Sequence, residues 1–110
     1  MNYQHKDLAS GRWEKLSLME QLANIGSEVE RAIRWRRKGN VQYTRLAFER
    51  ALELLDLTLH ASLPFPTLKE LARVRCALVD DFEGDNTFHS TDLAWQHYFG
   101  AFTHAARKTH

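Results

Sequence analysis

Two clusters of opposite charge are the residues in this sequence most able to hold a ligand. Arg34, Arg36, Arg37 and Lys38 form one, and Asp80, Asp81, Glu83 and Asp85 the other. Brought together, they would offer a polar molecule or a phosphate both guanidinium donors and carboxylate acceptors, with Asn40, Asn86 and His89 at the margins. Arg34, Arg36, Arg37, Asp80, Asp81 and His89 are therefore the candidate ligand site. The competing expectation is that the clusters neutralise each other as surface ion pairs, each worth about 0–1 kcal/mol.

Other reactive residue types point to less. His97 and His104 are seven apart, so on a helix they share a side but stand roughly 10.5 Å apart along the axis, too far to grip one ion. Neither the Glu-x-x-His of di-iron bundles nor the His-Glu-x-x-His of zinc proteases occurs. Cys76 has no histidine near it in sequence to act as a base, lies off the centre of its stripe, and reads as a partly buried filler. There is no glycine-rich phosphate loop and no nucleophile elbow. Arg75 interrupts an apolar stripe, a costly position unless a carboxylate pairs with it or its head reaches the rim. The basic run Arg34-Trp35-Arg36-Arg37-Lys38 has the ingredients for single-stranded nucleic acid. One basic turn at a helix end is equally explained by the helix dipole, and the acidic cluster would blunt its field. Catalytic residues, metal ligands and cofactors are accordingly expected to be absent.

The elements that must position these groups are helices. The prolines, Pro64 and Pro66, sit together, and the long stretches between breakers carry three- and four-residue apolar spacing. The first helix is predicted from Ser17 to Lys38, opened by a Ser17–Glu20 capping box and carrying Leu18, Leu22, Ile25, Val29 and Ile33 on one stripe. Gly26 lies beside that stripe and predicts a close helix crossing. The second helix, 41–61, is capped by Asn40. Ser62–Thr67 reads as a loop, with a Thr67–Glu70 capping box opening a third helix that Gly84 ends. A fourth runs from Ser90 or Thr91 to Lys108, with Ala94, Trp95, Tyr98, Ala101, Phe102 and Ala105 on its stripe and Phe99 at the edge. Short connections between long amphipathic helices predict an all-α, up-and-down four-helix bundle over residues 17–108, preceded by a short N-terminal arm, 1–16. That order places the basic end of the first helix and the acidic end of the third at one pole.

The second helix has more apolar surface than a monomeric bundle needs. Phe48, Ala51, Leu52, Leu55 and Leu59 make its main stripe, while Tyr43, Leu46, Leu54 and Leu57 fall to the other side. Either the arm, through Leu8 and Trp13, covers that second face, or a second copy of the chain does. A homodimer through Tyr43, Leu46, Leu54 and Leu57 is the favoured expectation, because two-fold contacts are the commonest form of self-association. A protein partner is the other option.

Composition bounds the setting. A chain of 110 residues with 44% hydrophobic and 26% charged residues suits one globular domain. A net charge of +1 gives no overall pull toward nucleic acid or membrane. The lone cysteine excludes an intrachain disulfide, the first twelve residues lack a signal-peptide core, and no apolar run approaches the roughly 20 residues of a membrane span. A cytoplasmic location is expected.

The helical layout of residues 17–108 resembles the HEPN and nucleotidyltransferase substrate-binding families of small prokaryotic bundles. The stretch Asn24-Ile-Gly-Ser-Glu-Val-Glu-Arg31 also reads like a helix of small bacterial proteins. The first resemblance implies a nucleotidyltransferase partner or RNase activity. The nuclease members carry an arginine followed after four to six residues by histidine, and no pair here has that spacing, so no catalytic residue carries over. The reading that remains is a non-enzymatic interaction module that self-associates. The alternatives are a HEPN-like bundle and a small polar-ligand binder at the charged pole.

Overall fold

The computed structural model describes residues 11–108. A 3-10 turn at Trp13–Lys15 precedes four helices: α1 (Leu18–Arg37), α2 (Val41–Leu59), α3 (Phe65–Glu83) and α4 (Asp92–Lys108). The described residues contain no strand. The protein is an all-α, up-and-down four-helix bundle. α1 is its central helix, packed against α2 on one side and α4 on the other, while α3 leans on α2.

Local chemistry sets most helix limits. The Ser17 hydroxyl accepts from the Glu20 amide at 3.1 Å and the Glu20 carboxylate accepts from the Ser17 amide at 3.0 Å, a complete capping box. Gly39 follows α1 in the left-handed region at φ 75°, which glycine adopts without steric cost. Asn40 then caps α2, its Oδ1 accepting from the Tyr43 amide. Thr91 does the same for Ala94 at the start of α4. The expected Thr67–Glu70 box is not formed. Pro64 ends the extended approach and Pro66 falls in the first turn, where a missing N–H costs nothing, so α3 begins at Phe65. Glu70 is thereby released, and its carboxylate accepts from the Tyr98 hydroxyl at 2.8 Å. Burial and that carboxylate raise the Tyr98 phenol above its ordinary value.

The core is built on Leu22, Ile25, Val29 and Ile33 of α1, the same stripe read from the sequence. Gly26 marks the crossing with α4. A Cβ there would stand 2.6 Å from the Cβ of Phe99, so the glycine lets the two helices close up. Phe99 is therefore a core residue, whereas Ala94 and Ala101 are exposed, and the buried face of α4 is rotated from the expected one. Cys76 is exposed on α3, not a filler. Arg75 finds the carboxylate it needed: its Nε donates to Asp56 Oδ1 at 2.7 Å, tying α3 to α2.

The approach to α1 is fastened by a closed polar ring. Trp13, only 2% exposed, donates from Nε1 to Thr58 Oγ1 at 3.0 Å. That hydroxyl donates to Gln21 Oε1, and Gln21 Nε2 donates back to the Trp13 carbonyl. Three buried polar side chains are satisfied without solvent, so the tryptophan can fill the end of the core with no orphaned N–H.

This ring changes the expectation for α2. Leu54 is 2% exposed and belongs to the intrachain core, because Trp13 and the α1 stripe cover a wider arc of α2 than α1 alone would. It is withdrawn from the predicted interface. Leu57 packs partly against the core. Tyr43 and Leu46 remain outside it, at 46% and 36% exposure. Leu8 lies outside the described residues.

Candidate functional site

The two charged clusters do meet at one pole, because α1 and α3 both end there. Arg36 is the centre of the contact. Its Nη1 donates to Asp81 Oδ1 at 3.1 Å and its Nη2 to Asp92 Oδ1 at 2.9 Å. Arg37 Nε donates to the second oxygen of Asp92 at 3.1 Å, and Trp95 Nε1 to Asp81 Oδ2 at 2.8 Å. The Asp81 side chain is 6% exposed. The guanidinium of Arg36 also lies 4.0 Å from the centre of the Phe82 ring, which stacks on Phe48. Burial opposes the Arg36 charge, but hydrogen bonds and the fields of Asp81 and Asp92 outweigh it, and its pKa is raised. The cluster thus clasps α1, α3 and α4 together.

Asp80 faces away from the arginines. Its two oxygens accept the backbone N–H groups of Thr87 and Phe88, at 2.9 and 3.0 Å, and so organise the α3–α4 loop. The Phe88 bond is the largest influence holding its carboxyl below the usual range, ahead of the opposing desolvation, with Thr87 and nearby His89 adding to it. Asn86 and His89 adopt left-handed backbone at φ 52° and 55°. Asn86 closes the loop by exchanging side-chain hydrogen bonds with both backbone groups of Ser90. His89 is exposed and bonds to none of the arginines.

Of the six residues proposed for a ligand, Arg36, Arg37 and Asp81 are brought together, and their hydrogen-bonding groups are turned on each other and on Asp92. Asp80 and His89 belong to the loop. Arg34 lies outside the clasp, on the wall of a trough between α1 and α4. Asp92 and Trp95 were not anticipated. An aspartate in the first turn of a helix is favoured by the dipole, and that was the available signal for Asp92.

Beside the clasp, a cleft of about 650 Å³ opens between α2 and α3. Phe48 and Phe82 form its apolar base, Asn40 and Thr44 one edge, and Arg45, Glu49 and Glu83 its exposed rim. Opposite charges on that rim suit a small zwitterionic or polar molecule better than an anion.

A second surface lies at the outer corner of α1 and α2. The Trp35 and Tyr43 rings meet edge to face with centroids 4.7 Å apart, and Lys38 Nζ lies 5.1 Å from the Trp35 ring centre. Beside them a hollow of about 210 Å³ is lined by Arg31, Trp35, Tyr43, Leu46 and Arg50. Tyr43 and Leu46 of the expected interface stand here together, with Leu54 turned inward.

Among the described residues no group of three histidine, cysteine or carboxylate side chains could hold a metal ion, and no helix is long and apolar enough to cross a membrane. His97 and His104 are exposed. Compared with protein families, curated proteins and solved structures, the chain matches none.

Proposed function

We infer that the chain is a non-enzymatic helical interaction module that self-associates through the outer corner of α1 and α2. The observation that carries this reading is the pairing of a projecting apolar side chain, Leu46, with an adjacent hollow bounded by Trp35 and Tyr43. A two-fold axis through that corner would seat each Leu46 in the other copy's hollow, which is the self-complementarity an isologous contact requires. Leu46 is 36% exposed, so each insertion gains about a third of the roughly 1.5–3 kcal/mol of a full leucine burial, and Tyr43, 46% exposed, adds to it. The non-enzymatic part is supported by the clasp, whose donors and acceptors are engaged with one another.

Light scattering on the full chain across micromolar concentrations tests the reading. A dimer is expected, and Leu46→Glu is expected to give monomers of unchanged helical content. A chain that stays monomeric throughout, or a dimer indifferent to Leu46→Glu, refutes it. The cleft between α2 and α3 favours one second reading, a polar small-molecule binder, which would appear as a ligand-dependent rise in melting temperature.

A further inference from the structure

The groove between α1 and α4 carries cationic side chains that no carboxylate pairs among the described residues. Its volume is about 520 Å³. Val29, Ile33 and Phe99, each at most 4% exposed, lie beneath it, and Gly100, whose Cβ position meets no atom within 4 Å, leaves it open. Arg31 and Arg34 stand on the α1 wall, His104 and Arg107 on the α4 wall. Arg31 is paired with Glu28 at 3.3 Å, and Glu30, the one acid in the groove, accepts from Gln96. Arg34, His104 and Arg107 have no carboxylate partner among the described residues. From Trp95 to Arg107 the groove follows α4 for about 18 Å at 1.5 Å per residue.

The geometry points to this trough as the docking site for an acidic peptide segment of a partner protein, its carboxylates against Arg34, His104 and Arg107 and its apolar side chains along the arginine stems. Charge complementarity chooses the occupant: an uncompensated cationic rim disfavours a basic or neutral segment and steers an acidic one. The floor separates peptide from nucleic acid. Trp95 and Phe99, the groove's aromatic residues, are both buried in the core, so neither presents an open ring face on which a base could stack. Val29 and Ile33 are as buried as the rings, so the surface left for a peptide's apolar side chains is the methylene stems of Arg34 and Arg107 and the open backbone at Gly100. The trough and the Leu46 hollow adjoin at Arg31, but neither Arg34, Gly100 nor Arg107 lines the hollow, so the two surfaces can be tested separately.

The test is selection from a random dodecapeptide library displayed on phage against the full chain, followed by anisotropy measurements on the enriched peptides. Peptides rich in Asp or Glu are expected, with affinity that weakens as salt rises. Arg34→Glu with Arg107→Glu is expected to weaken them by tenfold or more, about 1.4 kcal/mol or more. Gly100→Leu is expected to block the trough with every charge intact. The Cβ position of Gly100 meets no atom within 4 Å, so this variant should fold, as circular dichroism would verify. Leu46→Glu should bind as the native chain does. The proposal is overturned if no peptide is enriched, if enriched peptides lack acidic residues, or if neither trough variant weakens them. A labelled single-stranded RNA that binds more tightly than the best peptide, and is lost in the same trough variants, would overturn it in favour of nucleic acid.

Discussion

Asp81→Ala is expected to destabilise the bundle by about 2–4 kcal/mol, through the loss of a buried ion pair and the orphaning of a buried donor. The carboxylate accepts from Arg36 and from Trp95 Nε1, and its removal leaves the indole N–H without its partner inside the fold. Arg36 is about one-third exposed and keeps Asp92, so the effect falls short of that for a wholly buried pair. Urea or thermal unfolding measures it, with a fall in Tm on the order of 10–25 °C. Asp81→Asn, which retains an acceptor but not the charge, should fall between the native chain and Asp81→Ala. A change within about 0.5 kcal/mol, typical of an ordinary surface site, would show that the clasp contributes nothing to stability.

The two glycines within helices should respond to alanine with opposite signs. In an open position the exchange gains up to about 1 kcal/mol of helix propensity. Gly100 is such a position, and Gly100→Ala is expected to raise the melting temperature. At Gly26 the new methyl would lie 2.6 Å from Phe99 Cβ, an atom fixed to the α4 backbone that cannot swing aside. The helices must separate, at an overpacking cost of about 1–3 kcal/mol that offsets the propensity gain, and a larger side chain costs more. Gly26→Leu should therefore be among the most destabilising single changes in the chain, with Gly26→Ala milder. Equal responses at positions 26 and 100 would contradict the close crossing.

Much of this architecture was legible because it depends on neighbours in sequence. Ser17 with Glu20, Asn40 before Val41, and the α1 stripe are interactions within one or two turns, and each forms as read. The charged pole was legible because antiparallel order alone places the ends of α1 and α3 together. Features requiring a long-range partner were not. Trp13 was one of two covers the sequence offered for the second face of α2, but nothing near it announces Thr58, 45 residues away, so Leu54 was assigned to the other cover, a second chain. Which aromatic residue of α4 enters the core depends on the gap at Gly26, so the predicted stripe was rotated. The Thr67–Glu70 spacing met its local rule, but two prolines allowed an earlier start and Tyr98 claimed the glutamate. As for the candidate site, residue types named the participants, while only the geometry revealed that Arg36 and Asp81 bind each other and that Arg34 faces elsewhere.

The uneven packing of the helices implies an order in which they come apart. α3 buries Leu71 and Leu78 fully, and its other fastenings include polar contacts spaced along its length: Glu70 to Tyr98, Arg75 to Asp56 and Asp81 to Arg36. α1 buries seven residues and is gripped from two sides. With fewer buried residues holding it, α3 should open at lower denaturant than the α1–α2–α4 core. Amide hydrogen exchange would resolve this as a first opening confined to α3, with α1 protons exchanging only on global unfolding. The molecule then behaves as a three-helix unit with a fourth helix latched onto it, able to release that helix without losing the core.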